Sequence, residues 1–269
     1  MHSAAFVLEM VPVNPRVFAA LALCLLPAAR AHPAQPAGKM ESLSHVGSIE
    51  KAYISLPTSV PGGGIVLVPD WWGLSEPFLK AADAFAADGY IVVAVDFYDG
   101  KVPKTPTEAQ IRMSEIHRPG ALRIIHSAIR LLHEDRRLQV PKVGVIGWSM
   151  GAGLALESAI GNPEVAACVV YYGPVILDTD WLRQLSVPLL GIYGRNDSWI
   201  TPQMVGDFRK VLNSAGTRYE FMELDAPHMF ASPSSADYDA NASTKARRLV
   251  AAFLKKHVFE AIGPPTKDR

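Results

Sequence analysis

A chain of 269 residues with 49% hydrophobic and 19% charged residues has the composition of an ordinary globular protein and is long enough for one substantial core. Its 26 lysines and arginines balance its 26 aspartates and glutamates, which excludes the strongly basic surface that nucleic acid or an anionic membrane recruits. No nucleic-acid partner is expected.

The N-terminus reads differently from the rest. Arg16 precedes an apolar run, Val17 to Leu26, that ends in Pro27-Ala28-Ala29-Arg30-Ala31, the pattern of a secretory signal over residues 1–31 with cleavage after Ala31. Met10 is an alternative start that leaves a signal of about twenty residues. The apolar run, about ten residues, is half the length that a hydrocarbon core demands, so no stable membrane anchor is expected after cleavage. Cys24 leaves with the signal, and Cys168, inside an apolar run, is then a buried and inert thiol with no disulfide partner. Residues 32–46 read as a flexible linker, 47–262 as one folded domain and 263–269 as a C-terminal tail.

Within that domain, short apolar and β-branched runs predict strands at Ala52 to Leu56, Gly64 to Pro69, Ile91 to Phe97, Lys142 to Trp148, Val165 to Tyr171, Pro188 to Tyr193 and Tyr219 to Leu224. Between them, helical spacing covers Glu76 to Asp88, Thr107 to Asp135, Met150 to Ile160, Thr201 to Ser214 and Ser243 to Phe259, with Pro119-Gly120 expected to break the second. The alternation predicts an α/β fold, a mostly parallel sheet of about seven or eight strands with helices on both faces. Ligands in such sheets sit at the carboxyl ends of the strands.

Gly147-Trp148-Ser149-Met150-Gly151 joins a strand directly to a helix, the context of a nucleophile elbow. The glycines answer to sterics, because a serine on so sharp a turn leaves no room for side chains two positions either side; small neighbours at Gly151, Ala152 and Gly153 suit the same packing. A serine hydroxyl is a poor nucleophile at neutral pH and needs a base, which needs an acid to orient it. Asp197 and His228 each follow a strand end and come in the order serine, acid, histidine. Asp225 competes weakly for the acid position. Oxyanion donors are expected from the N–H groups of Met150 and Trp71. Asp70, one residue earlier, is expected to face the site and either position a polar substrate group or water, or anchor this loop. Trp72 is expected to line the substrate site, with a plain core role as the alternative for both tryptophans.

Taken together, Asp70-Trp71-Trp72-Gly73-Leu74, Asp88 to Tyr98, the elbow, Tyr172-Gly173, Gly194-Arg195-Asn196-Asp197 and Ala226-Pro227-His228-Met229-Phe230 resemble the dienelactone hydrolase family over roughly residues 48–259. The resemblance implies an α/β-hydrolase fold and hydrolysis of a small-molecule ester or lactone. Two positions depart from the family pattern: Ser149 stands where dienelactone-opening members usually carry cysteine, and Asp70 where they usually carry glutamate. The serine resembles the family's esterase-type branch.

No cofactor or metal is expected. The eight histidines show no His-Glu-x-x-His spacing, and no Walker or Rossmann glycine pattern occurs. The alternative reading is an exported, non-catalytic binding module on the same fold. Such a module is expected to have lost a triad residue, whereas Ser149, Asp197 and His228 are all present.

Overall fold

The computed structural model describes residues 38–43 and 50–259. The expected signal and C-terminal tail lie outside the described residues, as do 32–37 and 44–46 of the expected linker.

Strands β1 (Lys39–Ser42), β2 (Lys51–Ser55), β3 (Gly63–Val68), β4 (Tyr90–Val95), β5 (Val143–Trp148), β6 (Ala167–Tyr171), β7 (Leu189–Gly194) and β8 (Tyr219–Leu224) form one eight-stranded sheet, ordered β1-β2-β4-β3-β5-β6-β7-β8. The β1-β2 and β2-β4 pairs are antiparallel and every other pair is parallel. Helices α1 (Glu76–Ala87), α2 (Pro106–Ser114), α3 (Arg118–Glu134), α4 (Met150–Ala159), α5 (Thr179–Leu182), α6 (Pro202–Ala215) and α7 (Ala240–His257) lie between and after the strands. This is the α/β-hydrolase architecture.

Because successive strand residues point to opposite faces, the sheet divides the apolar interior in two. Val66 and Val68 of β3 join a core with Ile125, Ile129 and Leu132 of α3, Leu156 of α4 and Phe208 of α6. Ile65 and Leu67 of the same strand join the opposite core with Phe78 and Phe85 of α1 and Val250, Phe253 and Leu254 of α7. Cys168 on β6 is free and fully buried, and desolvation pushes its thiol far above the ordinary range.

The strand order reverses at β3: the chain steps from β3 to β4 on one side, and β5 then pairs with β3 on the other. The carboxyl ends of β3 and β5 therefore flank the switch point, where open α/β sheets hold their ligands. The Asp70 loop follows the first and Ser149 follows the second.

Several expectations shift. The break in the second helical stretch falls at 115–117, not at Pro119-Gly120, because proline is tolerated in the first turn of a helix, where its missing N–H costs nothing. Lys39–Ser42, inside the expected linker, instead forms edge strand β1 on β2. Its charged and exposed sequence carries no apolar alternation, so only pairing reveals it. The last helix begins at Ala240 because the Asp239 carboxylate caps it through the N–H groups of Asn241 and Ala242. Among the described residues, no helix is long and apolar enough to cross a membrane.

Candidate active site

β5 ends at Trp148 and α4 begins at Met150, so Ser149 alone makes the turn. Its φ of 48° and ψ of −118° place a non-glycine residue in a region that costs on the order of 1–3 kcal/mol. The flanking glycines are obligatory. A Cβ at Gly147 would lie 2.3 Å from the Gly151 carbonyl oxygen, and a Cβ at Gly151 would lie 2.2 Å from that of Pro69. Both obstacles are backbone, which cannot step aside as a side chain does. Gly153 differs, since a Cβ there would meet only the Pro174 ring at 3.5 Å, an ordinary contact; its smallness is not needed for the elbow. Gly151 against Pro69 also fixes the neighbourhood: the first turn of α4 rests on the end of β3, which brings the following loop beside Ser149.

The Ser149 Oγ is 3.1 Å from His228 Nε2, and His228 Nδ1 is 2.6 Å from Asp197 Oδ2. Since a carboxylate can only accept, Nδ1 carries the hydrogen and Nε2 of the neutral ring is left to accept from the serine hydroxyl. Asp197 is 3% exposed, and its other oxygen accepts the N–H groups of Trp199 and Ile200, each at 2.8 Å. A buried carboxylate so satisfied has a fixed orientation. The competing Asp225 is exposed and accepts the Asn196 side-chain amide at 2.7 Å, linking the loop after β7 to the loop after β8. Backbone bonds from Arg195 to Leu224 and from Asn196 to Ala226 complete that junction. Gly194 is required there because a Cβ would sit 2.2 Å from the Ala226 oxygen. The two loops that carry Asp197 and His228 are thus held as one unit.

After β3 the chain turns sharply. The Gly73 N–H donates to the Asp70 carbonyl at 2.9 Å, the Trp72 N–H donates to Asp70 Oδ1 at 2.8 Å, and Gly73 adopts a φ of 67°. The Trp72 N–H is therefore spent, whereas the Trp71 N–H has no acceptor among the described residues. The Trp71 peptide is pinned by its carbonyl, which accepts the Tyr98 hydroxyl at 3.1 Å. Met150, as first residue of α4, has an N–H without an intrahelical partner. Trp71 and Trp72 are both half-buried and meet edge to face with ring centroids 5.5 Å apart.

Asp70 is fully buried, and its Oδ2 has no hydrogen-bond partner. Burial raises its pKa to about 7, against the opposing pull of the Trp72 N–H, His228 and Ser232. The Ser232 hydroxyl is close enough to favour the ionised form without completing a hydrogen bond to Oδ2.

Four residues around His228 and the Asp70 loop escape sequence reasoning as site residues. The Tyr172 ring stands edge-on to His228 at 5.0 Å, on a residue with a φ of 38°. Trp199, 76% exposed, lies 6.5 Å from the same ring. Tyr98 and Ser232 bear on Trp71 and Asp70. The position of Tyr98 and Tyr172 just beyond strand ends is the signal that could have found them. Among the described residues, no group of three or more histidine, cysteine or acidic side chains could hold a metal ion.

Residues 51–258 match the model of the dienelactone hydrolase family. The chain is 28% identical over 231 residues to Protein usf of Aquifex pyrophilus, covering 82% of this chain and 99% of that one. It is 29% identical over 173 residues to a carboxymethylenebutenolidase homolog of Xenopus tropicalis, covering 62% and 68%. The dienelactone hydrolase of Anabaena variabilis superposes with a TM-score of 0.61 at 22% identity, over 83% of this chain and 99% of that one. With a hydrolase fold, a serine elbow at the switch point and a family match across nearly all of the described domain, the chain belongs to the dienelactone hydrolase family and is a hydrolase of ester or lactone bonds.

Proposed function

We propose that the protein is an exported serine hydrolase that cleaves small-molecule esters or lactones through an acyl-enzyme on Ser149. The observation that carries this reading is the continuous hydrogen-bonded line from Ser149 Oγ through His228 to buried Asp197. In acylation, His228 Nε2 takes the hydroxyl proton as Oγ bonds to the carbonyl carbon, and Asp197 stabilises the resulting imidazolium. The N–H groups of Trp71 and Met150 receive the oxyanion. When the tetrahedral species collapses, the carbon–oxygen bond to the leaving group breaks and His228 returns its proton to that oxygen. From a lactone, the released hydroxyl stays tethered to the acyl group. Water, deprotonated by His228, then attacks the acyl-enzyme and frees the acid, with the proton returned to Oγ.

Trp72, in this loop, contributes an apolar wall for the substrate, and buried Asp70 anchors the loop through the Trp72 N–H. Export rests on the N-terminal sequence of basic, apolar and Ala-x-Ala segments. The test is active-site labelling. A fluorophosphonate should modify Ser149 and abolish hydrolysis across a panel of esters graded by acyl length. Hydrolysis that survives complete labelling of Ser149 would refute the mechanism.

A further inference from the structure

We propose that Asp70 makes this site selective for uncharged esters and lactones over those that bear a carboxylate, because a buried carboxyl with one uncommitted oxygen beside the histidine opposes a second negative charge on the substrate. The inference rests on the serine-hydrolase reading and names the substrate class for it.

Asp70 has one oxygen committed to the Trp72 N–H and the other buried without a partner. The groups that bear on it come from three loops: His228 and Ser232 after β8, Tyr98 after β4 and Tyr172 after β6. None is a lysine or arginine. Arg112 on α2 reaches Tyr98 electrostatically, but it is paired with Glu115 and does not bear on Asp70. The second carboxylate of the site, Asp197, is matched by His228 and two N–H groups. Once Asp70 ionises, it and Asp197 are two anions that share His228. A substrate carboxylate bound at Ser149 meets the like charge of Asp70, which no lysine or arginine bearing on Asp70 offsets. The carboxymethylene group in the name of the Xenopus relative denotes a lactone that carries such a carboxylate; the present site favours its uncharged counterparts.

The sign with pH follows from the burial of Asp70. Below about pH 7 its carboxyl is neutral and the penalty is weak; above it, the carboxylate repels an anionic substrate in full. Ionised Asp70 also stabilises the His228 imidazolium, but that effect is common to every substrate. The ratio of kcat/KM for a neutral and an anionic ester of the same alcohol removes the common effect and leaves the substrate's charge.

The experiment compares a butyrate ester with the matching hemisuccinate from about pH 6 to about pH 8.5, a range in which the hemisuccinate stays ionised. For the wild-type enzyme the preference for butyrate should grow about tenfold across the range. Asp70→Asn keeps an acceptor for the Trp72 N–H and should hold that ratio constant, while Asp70→Glu should retain its rise. A flat ratio in the wild type, or an undiminished rise in a folded Asp70→Asn, would overturn the proposal. Absence of hydrolysis of both esters together with absence of fluorophosphonate labelling would overturn the serine-hydrolase reading and this inference with it.

Discussion

Replacing each of two glycines of α4 with alanine should have opposite effects, and the difference can be worked from the backbone alone. At Gly151 the added methyl would lie 2.2 Å from the Pro69 oxygen and 2.5 Å from that of Val68, both far inside the ordinary contact distance of 3.4–4 Å. Because both obstacles belong to the end of β3, relief requires that the elbow and the Asp70-Trp71 loop move apart. Overpacking of this kind costs on the order of 1–3 kcal/mol, which for a domain of roughly 220 residues lowers Tm by about 2–4 °C per kcal/mol. The larger consequence is catalytic: displacement of about 1 Å between nucleophile and oxyanion donors costs on the order of a hundredfold in rate. At Gly153 the nearest atoms stand at 3.5 Å, and glycine to alanine within a helix stabilises by about 0.5–1 kcal/mol. Ester hydrolysis, the rate of fluorophosphonate labelling and thermal melting of the two variants form the assay. Gly153→Ala should melt slightly higher at unchanged activity, and Gly151→Ala should lose at least tenfold in labelling rate. Wild-type labelling by a folded Gly151→Ala would refute the argument that the elbow sets the position of the Asp70-Trp71 loop.

Other perturbations probe the triad and export. Ser149→Ala and His228→Ala should each abolish hydrolysis, and the double variant should be scarcely slower than either single one, because the groups act as a unit; additive losses in kcat would show that they do not. Asp197→Asn should lower kcat by on the order of a thousandfold or more by favouring the wrong histidine tautomer, whereas Asp225→Asn, whose carboxylate accepts from the Asn196 amide and not from His228, should change kcat less than about threefold. The reverse result would reassign the acid. N-terminal sequencing of protein exported by its host should begin at His32, and recovery of an uncleaved intracellular form would contradict the signal reading.

The sequence by itself determined the elements whose causes are local. Apolar runs marked seven of the strands, and in β3 to β7 burial on both faces leaves little room for any other composition. The elbow glycines, the order of Ser149, Asp197 and His228, and their placement just past strand ends were legible for a similar reason: a hydrolytic triad needs these residue types at this edge of the sheet. What depends on distant parts of the chain was hidden. Edge strand β1 exists only because β2 offers it a partner, and the junction of Asn196 with Asp225 that holds the Asp197 loop against the His228 loop joins the ends of two strands. That Gly151 is obligatory and Gly153 is not depends on the end of β3, far away in sequence. The state of Asp70 is the clearest case. Its position could be read from the sequence, but its burial, its uncommitted oxygen and its cluster of tyrosines, serine and histidine depend on three other loops that only the folded sheet brings beside it. A desolvated charge takes its energy from everything around it, and that environment is a property of the tertiary structure.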